Sequence, residues 1–582
     1  MKPSRVAPTA GKPIEQQVRD GLSRRDVIRA IGIAAVPFPA VIAPIRSLLR
    51  ARGTFADLSR PPDAVSVQTG TDYRTLRPVA SDRWEAGQIA VTIVPAPRSS
   101  RVTLSAPADA IKRIRLRWHA DLGGVRLAMG DAWERAYGDL KWRGIEPDRS
   151  MPWYALAWDG HFTHGYGVRT GPAAFCFWQI DPLGITLLAD VRSGGVALQP
   201  GNRDVAVCEI TSREGKPGES PFVAQREFCR DLCSVPRLPA QPVYGHNDWY
   251  YAYGRNSATS VLTDTAHLTE LSPTGSNRPY VVIDDGWQPE RGAAGSGAVG
   301  RWDQGNERFP DMAGLAGQIR QGGAVPGIWM RPLIAPADAP DSWRMSRARG
   351  VLDPTVAAVH DKVAADVSRL RAWGYQLIKH DYSTYDILGR WGRTMGTALT
   401  SDGWTFASGP SHTTAEVIGN FYRTIRDAAG DAVVIGCNTV SHLSAGVFEI
   451  CRIGDDTSGT EWERVPRMGV NALAFRGAQH GAFYVADPDC VGVTTAIPWK
   501  LNRQWLDLLA RSGTTLFVSL APDALTAEVK RDVRVALSLA ALRQPLAEPL
   551  DWQRSTWPAH WRLIGRDTAY EWTDPDGVPP PA

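Results

Sequence analysis

A chain of 582 residues has room for three or four ordinary domains or for one large barrel with appendages, and its 43% hydrophobic content excludes a disordered chain. Of the formal net charge of +4, residues 1–54 supply +7 from ten Lys/Arg against three acids, so the remainder carries −3. That mildly acidic body has no electrostatic footprint for nucleic acid.

The first element reads as an address. Ser23-Arg24-Arg25-Asp26-Val27-Ile28-Arg29 precedes a modest apolar run, Ala30 to Ala43, broken by Pro37 and Pro39. This resembles a twin-arginine export signal, so residues 1–54 are expected to form a signal and leader, and the protein to be periplasmic or secreted. The other reading is an amphipathic first helix. The run falls short of the ~20 apolar residues that span a bilayer, and nothing downstream offers a stable membrane span.

From about Pro61 to Thr211 the pattern is short and alternating, as in Gln88 to Val94, Ile114 to Trp118, Ile185 to Arg192 and Val205 to Ile210. Such runs, broken by Gly, Pro and Asp, predict an antiparallel β-sandwich within residues 55–235. After about Gln225 apolar runs alternate with amphipathic stretches: Tyr280 to Ile283 as strand, Met312 to Gln321 as helix, Gly327 to Met330 as strand, Val359 to Trp373 as helix. Candidate strands begin near Val243, Tyr280, Val325, Gln376, Val433, Phe448, Phe483 and Thr515, enough to close a (β/α)₈ TIM barrel over residues 236–540. Arg531 to Leu542 reads as helix, and residues 541–582, with Trp552, Trp557, Trp561 and Trp572, as a short C-terminal β segment. The seven cysteines form no C-x-x-C framework, which argues against a disulfide scaffold and a zinc site. Cys229 and Cys233 are spaced to meet on one helical face, as thiols or as an oxidised pair.

In a barrel of this kind the reactive groups lie at the C-terminal ends of strands. Four candidate strands run into acids: Asp284-Asp285, Asp381, Asp455-Asp456, and Asp487 with Asp489. One such acid alone is an ordinary helix cap or loop carboxylate. Four at one mouth provide what glycosidic cleavage needs, a carboxylate to attack and a carboxylic acid to assist departure, since neighbouring like charges drive one pKa upward. Metal binding is the rival use of the cluster, but only His380 joins it. Trp249, Trp287, Trp302 and Trp329 fall near predicted strand ends, where aromatic faces suit the C–H side of a sugar ring.

At these residues the chain resembles the α-galactosidases of glycoside hydrolase families 27 and 36, the melibiase clan (clan D). The matching stretches are Gly245-His-Asn-Asp-Trp249, Val282-Ile-Asp284-Asp285-Gly-Trp287, Arg301-Trp-Asp through Arg308-Phe-Pro310, Pro326-Gly-Ile-Trp329, Ile378-Lys379-His-Asp381, Asp487-Pro-Asp489 and Ser512 to Ser519. The resemblance implies that Asp381 is the nucleophile and that Lys379 binds a hydroxyl and keeps that carboxylate ionised. It implies that Asp284 and Asp285 grip the far hydroxyls of the sugar and that Trp249 and Trp287 wall the pocket, with Trp329, Cys437, Arg452 and Asp489 as further binding residues. The acid/base is Asp455 on the family 36 pattern and Asp456 on the family 27 pattern, which counts four from Arg452; the latter is favoured. The family's Cys-Ser-Gly-Gly-Gly turn is replaced by Gly436-Cys437-Asn438-Thr439-Val440-Ser441, and its C-terminal β domain is nearly absent. His380 stands where an aromatic is usual.

The activity so implied is retaining hydrolysis of terminal α-galactosides, or of a related α-glycoside, with the two carboxyl groups about 5–5.5 Å apart. The partner is an oligosaccharide or glycoside, and the chemistry requires no cofactor and no metal. A transglycosylase would share the same covalent intermediate. An inactive carbohydrate-binding relative is the remaining alternative, and it would have no chemical need for both carboxylates and Lys379. The sequence is silent on oligomeric state.

Overall fold

The computed structural model describes residues 54–289, 300–575 and 577, so the arginine-bearing segment 23–29 lies outside the described residues. The first half forms two antiparallel sheets. One has the order Tyr73–Thr75, Ala64–Gln68, Arg113–His119, Gly184–Asp190, Phe175–Asp181, Met151–Pro152. The other has the order Arg77–Ala80, Arg83–Ala86, Ile89–Ala96, Ser99–Ala106, Gly201–Arg213, Thr163–Val168, Tyr154–Trp158, Leu127–Gly130. Arg113–His119 shows why the chain folds this way: Ile114, Leu116 and Trp118 are buried, while the basic residues between them point outward.

Leu127–Gly130 and Met151–Pro152 are joined by residues 131–150, which contain no strand of their own. This connection lies against the second half of the chain. Ala136 N donates to Ile453 O (2.8 Å) and Asp455 N donates to Ala136 O (2.8 Å). Fully buried Arg476 donates to Asp131 Oδ1 (2.7 Å) and to the carbonyls of Glu134 (2.7 Å) and Ile453 (3.0 Å).

The second half is a curled parallel sheet of nine strands: β1 (Tyr244–Asn247), β2 (Tyr280–Ile283), β3 (Val325–Met330), β4 (Leu377–His380), β5 (Val433–Gly436), β6 (Ile450–Arg452), β7 (Val485–Asp487), β8 (Val491–Val493) and β9 (Leu516–Leu520). Neighbours pair in chain order from β1 to β7, and β9 lies between β1 and β8. Thr515, the residue before β9, donates its N–H to Ala486 O of β7 (3.2 Å), which brings β7 alongside β9 and closes the expected TIM barrel. Eight strands are expected and nine are found, because the seventh position is broken at Pro488-Asp489-Cys490 and resumes as β8. Val282, Leu377, Ile435, Ile450 and Phe517 fill the interior. The two-residue period of β4 therefore places Lys379 above Leu377 on the inner face, while His380 faces outward against Phe421 of the helix Thr414–Ala429 (ring centroids 5.9 Å).

The helix Met312–Gln321 falls where the periodicity places it, Ala357–Ala372 begins two residues before Val359, and Ala527–Ala540 begins a turn before Arg531, where Thr526 caps it. The C-terminal segment forms a three-stranded antiparallel sheet, Glu548–Pro549, His560–Leu563 and Arg566–Ala569. All seven cysteines, Cys229 and Cys233 included, are buried free thiols. Among the described residues, no helix is long and apolar enough to cross a membrane.

Candidate active site

Asp381 leaves the C-terminal end of β4 with its backbone N–H on Met330 O (3.0 Å). Trp329 Nε1 donates to Asp381 Oδ2 (3.0 Å) and Tyr382 N donates to Asp381 Oδ1 (2.7 Å), so a donor orients each oxygen. Tyr382 adopts a left-handed φ of 66°, a conformation costly for a side chain of this size and frequent where a site constrains the backbone. The Arg331 guanidinium lies 4.3 Å from the centroid of its ring.

Two residues earlier on β4, Lys379 Nζ donates to Asp284 Oδ2 (2.6 Å), which also accepts from Asn247 Nδ2 (2.7 Å). Burial opposes the Lys379 charge, yet the carboxylates of Asp284 and Asp381 hold its pKa well above the ordinary lysine value. Asp285 N donates to Asp284 Oδ1 (2.8 Å), and Gln288 Nε2 donates to Asp285 Oδ1 (2.5 Å). Beneath them Asp248 accepts from Asp284 N (2.8 Å); burial first, and the Asp284 charge second, push its carboxyl up to about 7. Trp249 opens the short helix Trp249–Ala252 after β1, half-buried and edge-on to Tyr253 (5.6 Å).

The other side of the mouth is built on β6. Arg452 Nη2 contacts Asp456 Oδ1 (3.0 Å) and Asp489 Oδ2 (3.1 Å), and Arg452 Nη1 lies 3.6 Å from Cys437 Sγ. Asp455 pairs with Arg135 through Oδ1 (3.0 Å) and with Arg464 through Oδ2 (3.3 Å). Asp456 meets both Arg452 and Arg135 (3.4 Å) on Oδ1 alone, and its side chain keeps 42% exposure against 14% for Asp455. Burial works to raise the Asp456 pKa, but Arg135, Arg452 and Lys379 outweigh it and hold the group at about 2. Asp381, Asp455 and Asp456 line one cavity of about 250 Å³ with Arg135, Tyr137, Tyr382, Trp391, Arg393 and Arg464.

Two assigned binding residues take different places. Trp287 is 0% exposed, packed against Trp302 (5.7 Å) and Trp373 (6.2 Å), with its indole N–H on Trp329 O (3.0 Å). It stands behind the wall and supports Trp329, which itself serves Asp381 as a donor. Asp489, in a left-handed φ of 84°, commits Oδ2 to Arg452, Thr457 N (2.7 Å), Thr457 Oγ1 (3.0 Å) and the Tyr250 hydroxyl, and so anchors the break between β7 and β8.

Sequence reasoning missed the contribution of the connection 131–150 entirely. Arg135 reaches both candidate acids, and fully buried Glu134 sits behind it, accepting from Asn438 Nδ2 (2.8 Å) and the Tyr137 hydroxyl. Burial pushes the Glu134 carboxyl up to about 7 against the pull of Arg135. The only signal in the sequence is a long interval between strands, rich in aromatic and charged residues. Among the described residues, no cluster of three His, Cys, Asp or Glu side chains is placed to hold a metal ion.

The chain matches no protein-family model. Its fold is similar to that of TtGalA, an alpha-galactosidase from Thermus thermophilus solved in complex with p-nitrophenyl alpha-D-galactopyranoside, with a TM-score of 0.58 at 18% identity over 87% of this chain and 99% of that one. It is also similar to the GH36 alpha-galactosidase AgaA from Geobacillus stearothermophilus in complex with raffinose, with a TM-score of 0.54 at 14% identity over 81% of this chain and 70% of that one. The shared architecture is an antiparallel N-terminal region followed by the parallel barrel.

Proposed function

We propose that the protein is an exported glycoside hydrolase that cleaves terminal α-galactosides, or a related α-glycoside, with retention of configuration. The observation that carries this reading is that Asp381, oriented by a donor on each oxygen, lines the same cavity as Asp455 and Asp456. The substrates of the similarly folded alpha-galactosidases agree with it, as does the motif resemblance. Residues 23–29 are the basis for export.

In this reading Asp381 attacks the anomeric carbon as the bond to the leaving oxygen breaks, and Asp456 passes its proton to that oxygen. Water then loses a proton to Asp456 and displaces Asp381 from the sugar. Asp456 suits the proton-transfer role better than Asp455, since arginines occupy both oxygens of Asp455 but only one of Asp456. Substrate that displaces water from Asp456 raises its proton affinity, because burial penalises the charged form. Lys379, Asp284, Asp285 and Trp249 receive the sugar.

A panel of aryl α-glycosides followed by proton NMR tests the reading, with the α-galactoside cleaved and the α-anomer released first. A mechanism-based cyclitol inactivator is expected to label Asp381 on peptide mapping. Inversion of configuration, or a label on another residue, defeats the reading.

A further inference from the structure

The cations around the candidate proton-transfer residue come from two parts of the fold. Arg452 and Lys379 belong to β6 and β4, whereas Arg135 belongs to the connection 131–150 of the antiparallel region. Arg135 is 6% exposed and divides its terminal nitrogens, Nη2 to Asp455 Oδ1 (3.0 Å) and Nη1 to Asp456 Oδ1 (3.4 Å). The rings of Trp391 (5.5 Å) and Tyr137 (5.7 Å) cover the guanidinium. Its backbone is fixed where Ala136 pairs with Gly454, and Asp455 N closes that bridge. A planar fork that spans two carboxylates is a geometry lysine cannot reproduce.

We infer that Arg135 is a positioning residue for the proposed reaction, contributed by the antiparallel region, whose guanidinium fork holds the Asp455 and Asp456 carboxyl groups in place beside Asp381. The inference rests on the function proposed above and deepens it, because the barrel strands alone then make an incomplete catalytic centre. The groups facing Asp456 are Arg135, Arg452 and Lys379 as cations, Asp381, Asp455 and Asp489 as carboxylates, the hydroxyls of Tyr250 and Tyr382, and Arg464, which donates to the Asp456 carbonyl (2.8 Å). Removing one of the four cations in this set shifts the balance toward the neutral acid.

The direct test needs no turnover. Carbodiimide reacts with protonated carboxyl groups, and mass spectrometry of the labelled peptide resolves Asp455 from Asp456. In Arg135→Gln the labelling rate of Asp456 at a fixed mildly acidic pH is expected to rise about tenfold, the equivalent of one pH unit. Arg135→Lys is expected to lie between that variant and the wild type, and it carries the test alone if the glutamine variant does not fold. With an activated aryl glycoside, hydrolysis of the glycosyl-enzyme limits kcat and Asp381 is esterified, so the acid limb of kcat reports Asp456. That limb is expected to move up by about one pH unit in Arg135→Gln, with KM falling alongside kcat and kcat/KM little changed. A labelling profile that moves in neither variant overturns the inference. Failure of the wild type to turn over any aryl α-glycoside would instead overturn the proposed function.

Discussion

The strand ends of the barrel and the connection 131–150 deliver side chains to one cavity by opposite means. Along β3 and β4 a parallel register, Trp329 opposite Lys379 and Met330 opposite His380, fixes where Asp381 emerges. Among the described residues, the connection meets the barrel in a single backbone bridge, Ala136 with Gly454, rather than a ladder. Otherwise it is fastened by buried side chains that take up its polar groups: Arg476 on Asp131 and on the Glu134 carbonyl, and Asn471 Nδ2 on Leu140 O (2.9 Å). A ladder spreads the cost of error over many weak bonds, whereas an anchored loop concentrates it in a few charges.

The largest effect separates chemistry from anchoring. Asp381→Asn keeps one acceptor oxygen for either Trp329 or Tyr382, turns an amide N–H toward the other donor, and loses the attacking charge. Its kcat/KM on an aryl α-galactoside is expected to fall by at least about 10³-fold with the melting temperature little changed. Arg476→Met tests the connection. Removing one partner of a buried pair costs about 3–5 kcal/mol, read by denaturant titration, and here it also releases Asp131 and the carbonyl of Glu134. Loss of activity well beyond the unfolded fraction is expected, because Arg135 loses its footing; activity proportional to folded protein would mean that Arg135 holds its place without this anchor.

That contrast explains what could be read in advance. Lys379 and Asp381 are legible because a strand alternates and then ends, so two residues of one tetrapeptide have predictable places. The aspartates at 455 and 456 are legible as a pair, but the choice between them depends on Arg135, which is 321 positions from Asp456 in the chain. Trp287 looks like a pocket wall in one dimension, and only its packing against Trp302 and Trp373 turns it into a support. The two sheets and the barrel strands follow from periodicity; the break that creates β8 depends on a left-handed Asp489 that periodicity does not encode.

The two smaller effects compare a buried titratable group from each region. In the connection, Glu134 has its carboxyl raised from 4.5 to about 7 by burial. A raised folded-state value contributes stability below pH 4.5 that is lost as pH climbs through 7, at most about 3 kcal/mol in all. Glu134→Gln removes that dependence, so its melting temperature is expected to gain on the wild type between pH 4.5 and 8. Parallel melting curves would show instead that Asn438 and the Tyr137 hydroxyl stabilise the charge in full.

On the barrel side, His380 has no hydrogen-bond partner at either ring nitrogen and lies edge-on among Phe421, Tyr422 and Phe448. Burial lowers its pKa from 6.5 to about 3. The sign is opposite to that of Glu134: the neutral ring is at no disadvantage above pH 6.5, and stability drains away as pH falls from 6.5 toward 3, by up to about 1.4 kcal/mol per unit. His380→Phe replaces two unsatisfied nitrogens with C–H edges in an aromatic cage. A gain of about 1–2 kcal/mol is expected at pH 7, growing below pH 6.5. The growth is incomplete as a remedy, because His246, His442 and His480 are also held neutral by burial and titrate in the same direction. A phenylalanine variant whose advantage stays constant from pH 8 to 4 would mean that His380 takes up its proton in the folded barrel, which the surrounding rings give it no means to do.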